Sequence, residues 1–251
     1  DCKGEQALVE KIEESIFKIN PPIPFNLSGL QKEAFRLYKL NPYQTLSIAE
    51  KLYLNALISY PRTNSQKLPH NLNCRRIILE LSNLSEFRDV ANTLLKKQRV
   101  SPTQGKESDS AHPSIYPTGK TTISTLTDIE KKIFNLIVKR FLNLFREPSI
   151  GKKRDIYFKI GKYNFYTSFK RITDQGWNEN SVKKEDMVDL AVGDELKIKR
   201  MKIVENFEEP VSSYNQMTLV QKMEKEEIGT KSTRANIIRT IIDRMYVNGN
   251  E

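Results

Sequence analysis

Apolar residues recur every three to four positions through much of the first two-thirds of the chain, which predicts helices. Residues 5–18 are expected to form the first helix, ended by Asn20-Pro21-Pro22. A second helix is predicted to open at a capping box that begins at Ser28 and to stop near Asn41-Pro42. A third runs through Ala49 to Leu57 and on into Ile58. The remaining predicted helices cover residues 73–81, 86–97, 127–145, 215–227 and 232–245.

The pattern changes to alternation after residue 148. Residues 154–160 and 163–170 alternate polar and apolar side chains around Gly161-Lys162, which predicts a β-hairpin. Residues 196–199 form another alternating strand. Residues 101–120 are rich in Ser, Thr, Pro and Gly and are predicted to be a loop. The expected fold class is therefore α+β.

Charge points to a polyanionic partner. The 251 residues include 41 Lys and Arg against 31 Asp and Glu, a formal charge of +10. Nucleic acid is the commonest such partner, although a generally Lys-rich proteome would give the same excess. The chain has only two cysteines and two histidines, and the two cysteines lie far apart in sequence, so neither a disulfide framework nor a zinc-binding motif is recognisable. Without a signal peptide or a long apolar run, the protein is expected to be cytoplasmic; because it does not begin with Met, a fragment or processed chain is expected.

Residues 58–65 contain a tyrosine that is followed by an arginine and hydroxyl side chains. A tyrosine hydroxyl, with a pKa of about 10 in water, becomes a useful nucleophile at phosphorus when cations stabilise the developing negative charge. Arg62 lies two positions after Tyr60, and its planar guanidinium fits a phosphate. Pro61 disfavours helix at Tyr60, which is expected at a helix-to-loop junction facing a cleft. The alternative is an ordinary surface loop.

Two other segments offer groups that suit phosphate. His112 lies in a proline-containing loop, where it could donate a hydrogen bond or provide a positive charge, or simply cap or pack. Residues 227–235 place Lys, Ser, Thr and Arg at the start of the last predicted helix. Free N–H groups and the helix dipole favour phosphate there. This segment lacks P-loop spacing, and a capped surface helix is the alternative.

Together and in this order, these segments resemble the type IA DNA topoisomerases. The family's Tyr-Pro/Met-Arg-Thr/Ser segment is matched by residues 60–65, and its His-x-Ala-Ile-x-Pro-Thr segment by residues 112–118. Its Gly-Ile-Gly-x-x-Ser/Ala-Thr segment is matched by residues 228–233. Residues 24–31 and 214–220 resemble two further family segments. The resemblance is strongest to archaeal and topoisomerase III-like members.

The resemblance implies an ATP-independent isomerase that cuts and reseals single-stranded DNA. Tyr60 would attack a phosphodiester, Arg62 would hold the scissile phosphate, and His112 would support the phosphate region. The expected partner is single-stranded or underwound duplex DNA. The protein is expected to be a monomer and not to associate with a membrane. The candidate DNA contacts are Thr63, Ser65, Tyr116, Thr118, Lys231, Ser232, Thr233 and Arg234. Whether Tyr116 stacks on a base or packs in the protein is left open.

The implied architecture is a mainly helical tyrosine-bearing domain, residues 25–147, inserted in a β-rich arch domain. The arch would comprise residues 1–24 and 148–209, and residues 210–251 would form part of a helical DNA groove. The chain departs from the family at Pro113 and Tyr116, where Glu and Arg are frequent, and at Asn64, where Asp is frequent.

The resemblance also implies magnesium chemistry that this sequence does not encode. The family's Mg²⁺ lies in an acidic Toprim domain, and neither Asp186 to Asp189 nor Asp194-Glu195 has its Asp-x-Asp-x-Glu spacing. We therefore expect Mg²⁺ to be held by a Toprim domain in cis or in trans, with no metal bound by this chain. Such a chain should bind single strands without relaxing supercoils alone. The rival hypotheses are a non-catalytic single-strand-binding module and a helical RNA-binding or scaffold protein.

Overall fold

The computed structural model describes residues 4–178, 188–207 and 213–248. The chain divides into two compact units, and each combines segments that are distant in sequence. One unit contains Asp1–Pro21 and Glu147–Pro210, and the other contains Pro22–Arg146 and Val211–Glu251. The predicted boundary between residues 209 and 210 and the position of Asp186 lie outside the described residues. The roles assigned to the predicted domains stay predictions.

The first unit is built on a four-stranded antiparallel sheet with the strand order β3-β2-β1-β4. Its strands are β1 (Gln6–Ile19), β2 (Ser149–Ile160), β3 (Tyr163–Asp174) and β4 (Glu195–Lys197). The predicted hairpin is confirmed, with Ile160 paired to Tyr163 across the turn. Gly161 has a φ of +55° there, a conformation that glycine adopts without a steric penalty. The predicted strand near residue 196 is confirmed as β4.

The helix predicted at residues 5–18 is wrong, because this segment is the strand β1. Glu and Lys favoured a helix there, but pairing with β2 from Leu8 to Ile19 satisfies its backbone groups, with a β-bulge between Val9 and Lys11. The ring of Phe17 lies over Gly151 of β2, where an added Cβ would come within 2.4 Å of it. A larger residue at position 151 would therefore force the Phe17 ring to move.

The second unit is helical, and every other helix expected from the sequence is present with shifted ends. Asn26, rather than Ser28, caps the first helix by accepting a hydrogen bond from the Gly29 N–H at 2.8 Å. Asn41 and Gln44 form the capping box of the second helix. The helices are α1 (Leu27–Tyr38), α2 (Pro42–Leu54), α3 (Cys74–Leu81), α4 (Arg88–Leu95), α5 (Asp128–Asn143), α6 (Gln216–Lys225) and α7 (Arg234–Asp243).

The end of α2 differs from the prediction. The helix stops at Leu54, and Ala56 takes a left-handed conformation with a φ of 56°, so the chain turns before Ile58. Tyr60 therefore lies in an irregular segment beyond the helix end. Ile58 forms an isolated antiparallel bridge with Pro117, which sets this segment beside the predicted loop of residues 101–120.

The core of the helical unit is organised around α5. Its inward face is buried, and the apolar anchors of the two neighbouring loops, Ile58 and Ile115, are 1% and 3% exposed within the same core. Burial of these anchors fixes both loops against a rigid helix. The buried residues of α5 are Ile133, Phe134, Leu136, Ile137, Val138, Phe141 and Leu142. Among the described residues, no helix combines the length and apolar character that a membrane span requires.

Candidate active site

Tyr60 stands between two aromatic side chains of the helical unit. Its ring centroid is 4.5 Å from that of His112 and 5.3 Å from that of Tyr53, which extends from the last turn of α2. Tyr53 meets Tyr60 at an angle of 73°, an edge-to-face contact typical of aromatic pairs. The structure thus brings the first two predicted segments into direct contact at the candidate nucleophile.

Hydrogen bonds join these two segments on both sides of Tyr60. The Ser59 N–H donates to the Tyr116 carbonyl at 2.9 Å, and the Tyr116 N–H donates back to Ser59 Oγ at 3.0 Å. On the other side, Thr63 Oγ1 donates to the His112 carbonyl at 3.1 Å. The backbone next to the nucleophile and the backbone of the histidine are therefore fixed relative to each other.

Arg62 links α2 to the turn that precedes α7. Its Nε donates to Glu50 Oε1 at 2.6 Å, and its Nη1 donates to the Ser232 carbonyl at 2.9 Å. A guanidinium has five N–H donors, so these two bonds leave further donors for a phosphate. The charge of Arg62 is nevertheless paired with that of a carboxylate in this structure.

The third predicted segment reaches the other two through Asp109. This carboxylate pairs with Lys231 and accepts hydrogen bonds from the N–H groups of Asn64 at 3.2 Å and Ala111 at 3.0 Å. The hydrogen bond from Lys231, followed by those from the backbone, holds the pKa of Asp109 well below its usual range. All three predicted segments are thus assembled in one part of the helical unit.

Several of the other predicted DNA contacts are buried or hydrogen-bonded within the protein. Thr63 and Ser65 are 0% and 3% exposed, so their hydroxyl groups are not accessible to a ligand in this structure. The Thr118 hydroxyl donates to the Ala56 carbonyl at 2.7 Å, which fixes the end of the loop. Tyr116 packs against the helical core, and burial raises its pKa. Tyr116 is half-buried in the free protein, and its stacking on a base stays a prediction.

The residues at the start of α7 remain closer to the surface. The Thr233 hydroxyl accepts a hydrogen bond from the Thr230 N–H at 2.8 Å, and Arg234 Nε donates to the Ile228 carbonyl at 3.0 Å. Ser232 is half-buried and offers its carbonyl to Arg62. A direct contact of these residues with DNA stays a prediction.

The sequence did not single out Glu50, Asp109 or Tyr53. Glu50 lies in the apolar-patterned segment of α2, where a single carboxylate carries no signal. Asp109 lies in a polar loop, 122 positions from the lysine that it pairs with. Only the three-dimensional arrangement identifies Glu50 and Asp109 as partners of the site's basic side chains, and Tyr53 as a ring that packs against Tyr60 without belonging to the site.

Comparison with known proteins identifies the family of this chain. A family model described as DNA topoisomerase matches residues 1–251. The chain belongs to the type IA DNA topoisomerases. DNA topoisomerase 1 of Pyrococcus horikoshii is 37% identical over 247 residues, which cover 96% of this chain and 36% of that protein. DNA topoisomerase 1 of Methanothermobacter thermautotrophicus is 36% identical over 254 residues, with 99% and 35% covered.

A solved topoisomerase shares the fold. The full-length topoisomerase I from Thermotoga maritima superposes with a TM-score of 0.76 at 25% identity, covering 98% of this chain and 42% of that chain. The type IA resemblance and the mixed α and β fold are therefore confirmed, and the archaeal relatives agree with the predicted resemblance to archaeal members. This chain spans about a third of the length of the curated relatives.

The magnesium ion expected of a type IA topoisomerase has no ligand set in the described part of this chain. Within residues 4–178, 188–207 and 213–248, no three His, Cys, Asp or Glu side chains converge as metal ligands do. Asp109 and Glu50 are each occupied by a basic side chain. These residues do not fit Mg²⁺, and its place in a Toprim domain stays a prediction.

Proposed function

We propose that this chain forms the DNA-cutting core of a type IA topoisomerase. The Tyr60 phenolic oxygen forms a bond to a backbone phosphorus of a single strand, and the bond from that phosphorus to the 3′ oxygen breaks. The phenol loses its proton and the departing 3′-hydroxyl gains one. The bond energy is kept in the 5′-phosphotyrosyl ester, so the hydroxyl can reseal the strand without ATP after strand passage.

The contact between Tyr60 and His112, with Arg62 two residues away, supports this proposal most directly. A neutral phenol attacks slowly, and the reaction needs donors where charge develops on phosphate and phenoxide oxygens. His112 lies 4.5 Å from Tyr60 between ring centroids. Arg62 keeps unused N–H donors beside its bonds to Glu50 and Ser232. We assign His112 to support the scissile phosphate and Arg62 to hold it.

The residues at the start of α7 are proposed to contact further phosphates of the same DNA strand. Arg62, which is proposed to hold the phosphate, donates a hydrogen bond to the Ser232 carbonyl. Ser232 stands in the short run of residues that contains Lys231, Thr233 and Arg234, so these side chains begin close to Arg62. Basic side chains that follow one strand are typical of single-strand grooves. The net charge of +10 suits the same polyanion. The proposed setting is cytoplasmic, with a monomer acting on single-stranded or underwound duplex DNA.

The cutting reaction is tested with a labelled single-stranded oligonucleotide. The chain is incubated with it alone and together with a Toprim domain and Mg²⁺ supplied in trans, and covalent adducts are separated under denaturing conditions. We expect an adduct only with the added domain, consistent with a chain that binds DNA without relaxing it alone. Tyr60→Phe should abolish the adduct.

Tyr53→Phe is the matched control, because it removes the same hydroxyl from the ring that packs edge-on against Tyr60. This variant should keep the adduct. Strand binding without an adduct under either condition would instead support the non-catalytic binding module. Supercoil relaxation by the chain alone would contradict the proposed dependence on the Toprim domain.

A further inference from the structure

Asp109 belongs to none of the family-like motifs, yet it contacts all three segments of the candidate site. Its Oδ2 accepts hydrogen bonds from Lys231 Nζ and, at 3.2 Å, from the Asn64 N–H. Its Oδ1 accepts from the Ala111 N–H at 3.0 Å. These partners lie in the Tyr60 segment, the His112 loop and the connection between α6 and α7. The Asp109 side chain is only 7% exposed.

We propose that Asp109 is a positioning residue that holds these three segments together and neutralises Lys231 until a DNA phosphate replaces the carboxylate. The second part of this inference rests on the proposed function. A carboxylate and a phosphate offer Lys231 the same kind of acceptor, an anionic oxygen. Lys231 can therefore exchange the carboxylate for a phosphate, and its own charge stays paired before and after DNA binds.

The energetic reason for the positioning role is burial. A carboxylate with little access to water must be compensated by charge or hydrogen bonds, and here each compensating group comes from a different segment. Removing the charge leaves Lys231 without its anion and weakens the bonds to both backbone N–H groups. The three segments should then move more independently of one another.

Two other hydrogen bonds should keep the segments of the helical unit together when Asp109 is changed. The residue after Lys231 is Ser232, whose carbonyl accepts from Arg62 at 2.9 Å. Ser28 Oγ also donates to Glu224 Oε2 at 2.8 Å, which connects α1 to α6. Loss of the Asp109 carboxylate should therefore loosen the site without detaching α7.

Binding of a labelled single strand across a range of salt concentrations tests the exchange of carboxylate for phosphate. In the unchanged chain, the carboxylate that a phosphate displaces from Lys231 takes up a cation, which offsets one counterion released from the strand. In Asp109→Asn no carboxylate is displaced, so one more counterion should be released on binding. The slope of log K against log salt should steepen by about 0.7, an extra loss of about 2.6-fold between about 50 and 200 mM. Binding at low salt should be tighter. A purely structural role would weaken binding and leave the slope unchanged or reduced.

Glu107→Gln is the matched control, because it removes the same charge from an exposed residue of the same loop. Its slope should stay parallel to that of the unchanged chain. In a Lys231→Met background, Asp109→Asn should no longer steepen the slope. An unchanged slope in Asp109→Asn, or an equal change in Glu107→Gln, would overturn the proposed exchange.

Amide hydrogen exchange of the free chains tests the positioning role without DNA. Asp109→Asn should increase exchange in residues 59–66, 109–116 and 228–234, whereas Glu107→Gln should leave the first and third of these segments unchanged. An increase confined to the loop of residue 109 would overturn the positioning role. If no strand binds to the unchanged chain, the proposed function and the exchange both fail, and the hydrogen-exchange pattern alone decides the positioning role.

Discussion

Replacing Glu50 with glutamine should free Arg62 for phosphate at a small cost in stability. The Glu50 carboxylate accepts from Arg62 Nε at 2.6 Å, and the two side chains are 36% and 23% exposed. Solvent screens a pair with this much exposure, so its charge contributes about 0.2–1 kcal/mol. Because glutamine keeps an oxygen acceptor, the free energy of unfolding should fall by less than about 1 kcal/mol.

Binding of single-stranded DNA should change in the favourable direction. Arg62 remains anchored in Glu50→Gln, since its Nη1 still donates to the Ser232 carbonyl at 2.9 Å. Its guanidinium no longer faces a competing carboxylate. We expect binding at low salt to tighten about two- to fivefold, which corresponds to about 0.4–1 kcal/mol. The salt dependence should steepen as well, because a less neutralised arginine releases more counterions from the strand.

Chemical denaturation measures the first quantity, and fluorescence anisotropy of a labelled oligonucleotide measures the second. Glu33→Gln is the matched control: it removes a carboxylate from another Glu–Arg pair, in which Arg36 donates from Nε and Nη2 at 3.2 and 2.7 Å. It should lose similar stability without a steeper salt dependence. Weaker strand binding by Glu50→Gln, or a loss of stability above about 2 kcal/mol, would refute competition and make Glu50 a structural support of Arg62.

Three further changes test other parts of the structure. The pKa of Asp109 is lowered chiefly by Lys231, so the Asp109 carboxylate stabilises the fold fully above a pH of about 4. This stabilisation is lost as the pH falls through the lowered pKa. The difference in melting temperature between the unchanged chain and Asp109→Asn should therefore become smaller on acidification. Phe134→Ala empties a position that is 0% exposed and should lower the free energy of unfolding by about 3–5 kcal/mol in chemical denaturation, whereas a loss below about 1 kcal/mol would contradict the central place of α5. Asn26→Ala removes the acceptor of the Gly29 N–H and should cost about 1 kcal/mol by the same measurement, with Asn26→Asp costing less because it keeps that oxygen.

The helices could be predicted because their signals are local. The capping box of Thr127 and Glu130, followed by apolar residues at helical spacing, identifies α5 within one short stretch of sequence, and the structure contains both features. Strand β1 could not be predicted in this way. Its Glu and Lys residues favour a helix when isolated, and only its pairing with β2, more than a hundred residues later, makes it a strand.

The same distinction applies to the candidate site. Tyr60, Arg62, His112 and Lys231 stand in short motifs, so their chemistry could be proposed from neighbouring residues. The carboxylates that pair with the two basic residues could not be found this way. Glu50 is 12 positions from Arg62, across the end of a helix, and Asp109 is 122 positions from Lys231.

The pairing of both basic side chains with carboxylates bears on how the proposed enzyme grips DNA. A strand that binds to Lys231 must displace its carboxylate, and a strand that binds to the unused donors of Arg62 meets the competing charge of Glu50, so each pairing reduces the affinity that the basic side chain contributes. A free arginine and a free lysine would grip the backbone more tightly and release it more slowly. An enzyme that cuts, passes and reseals strands benefits from contacts that exchange readily. Glu50 and Asp109 lower the affinity for DNA, and the proposed function benefits from this lower affinity. Removal of either carboxylate should therefore tighten DNA binding.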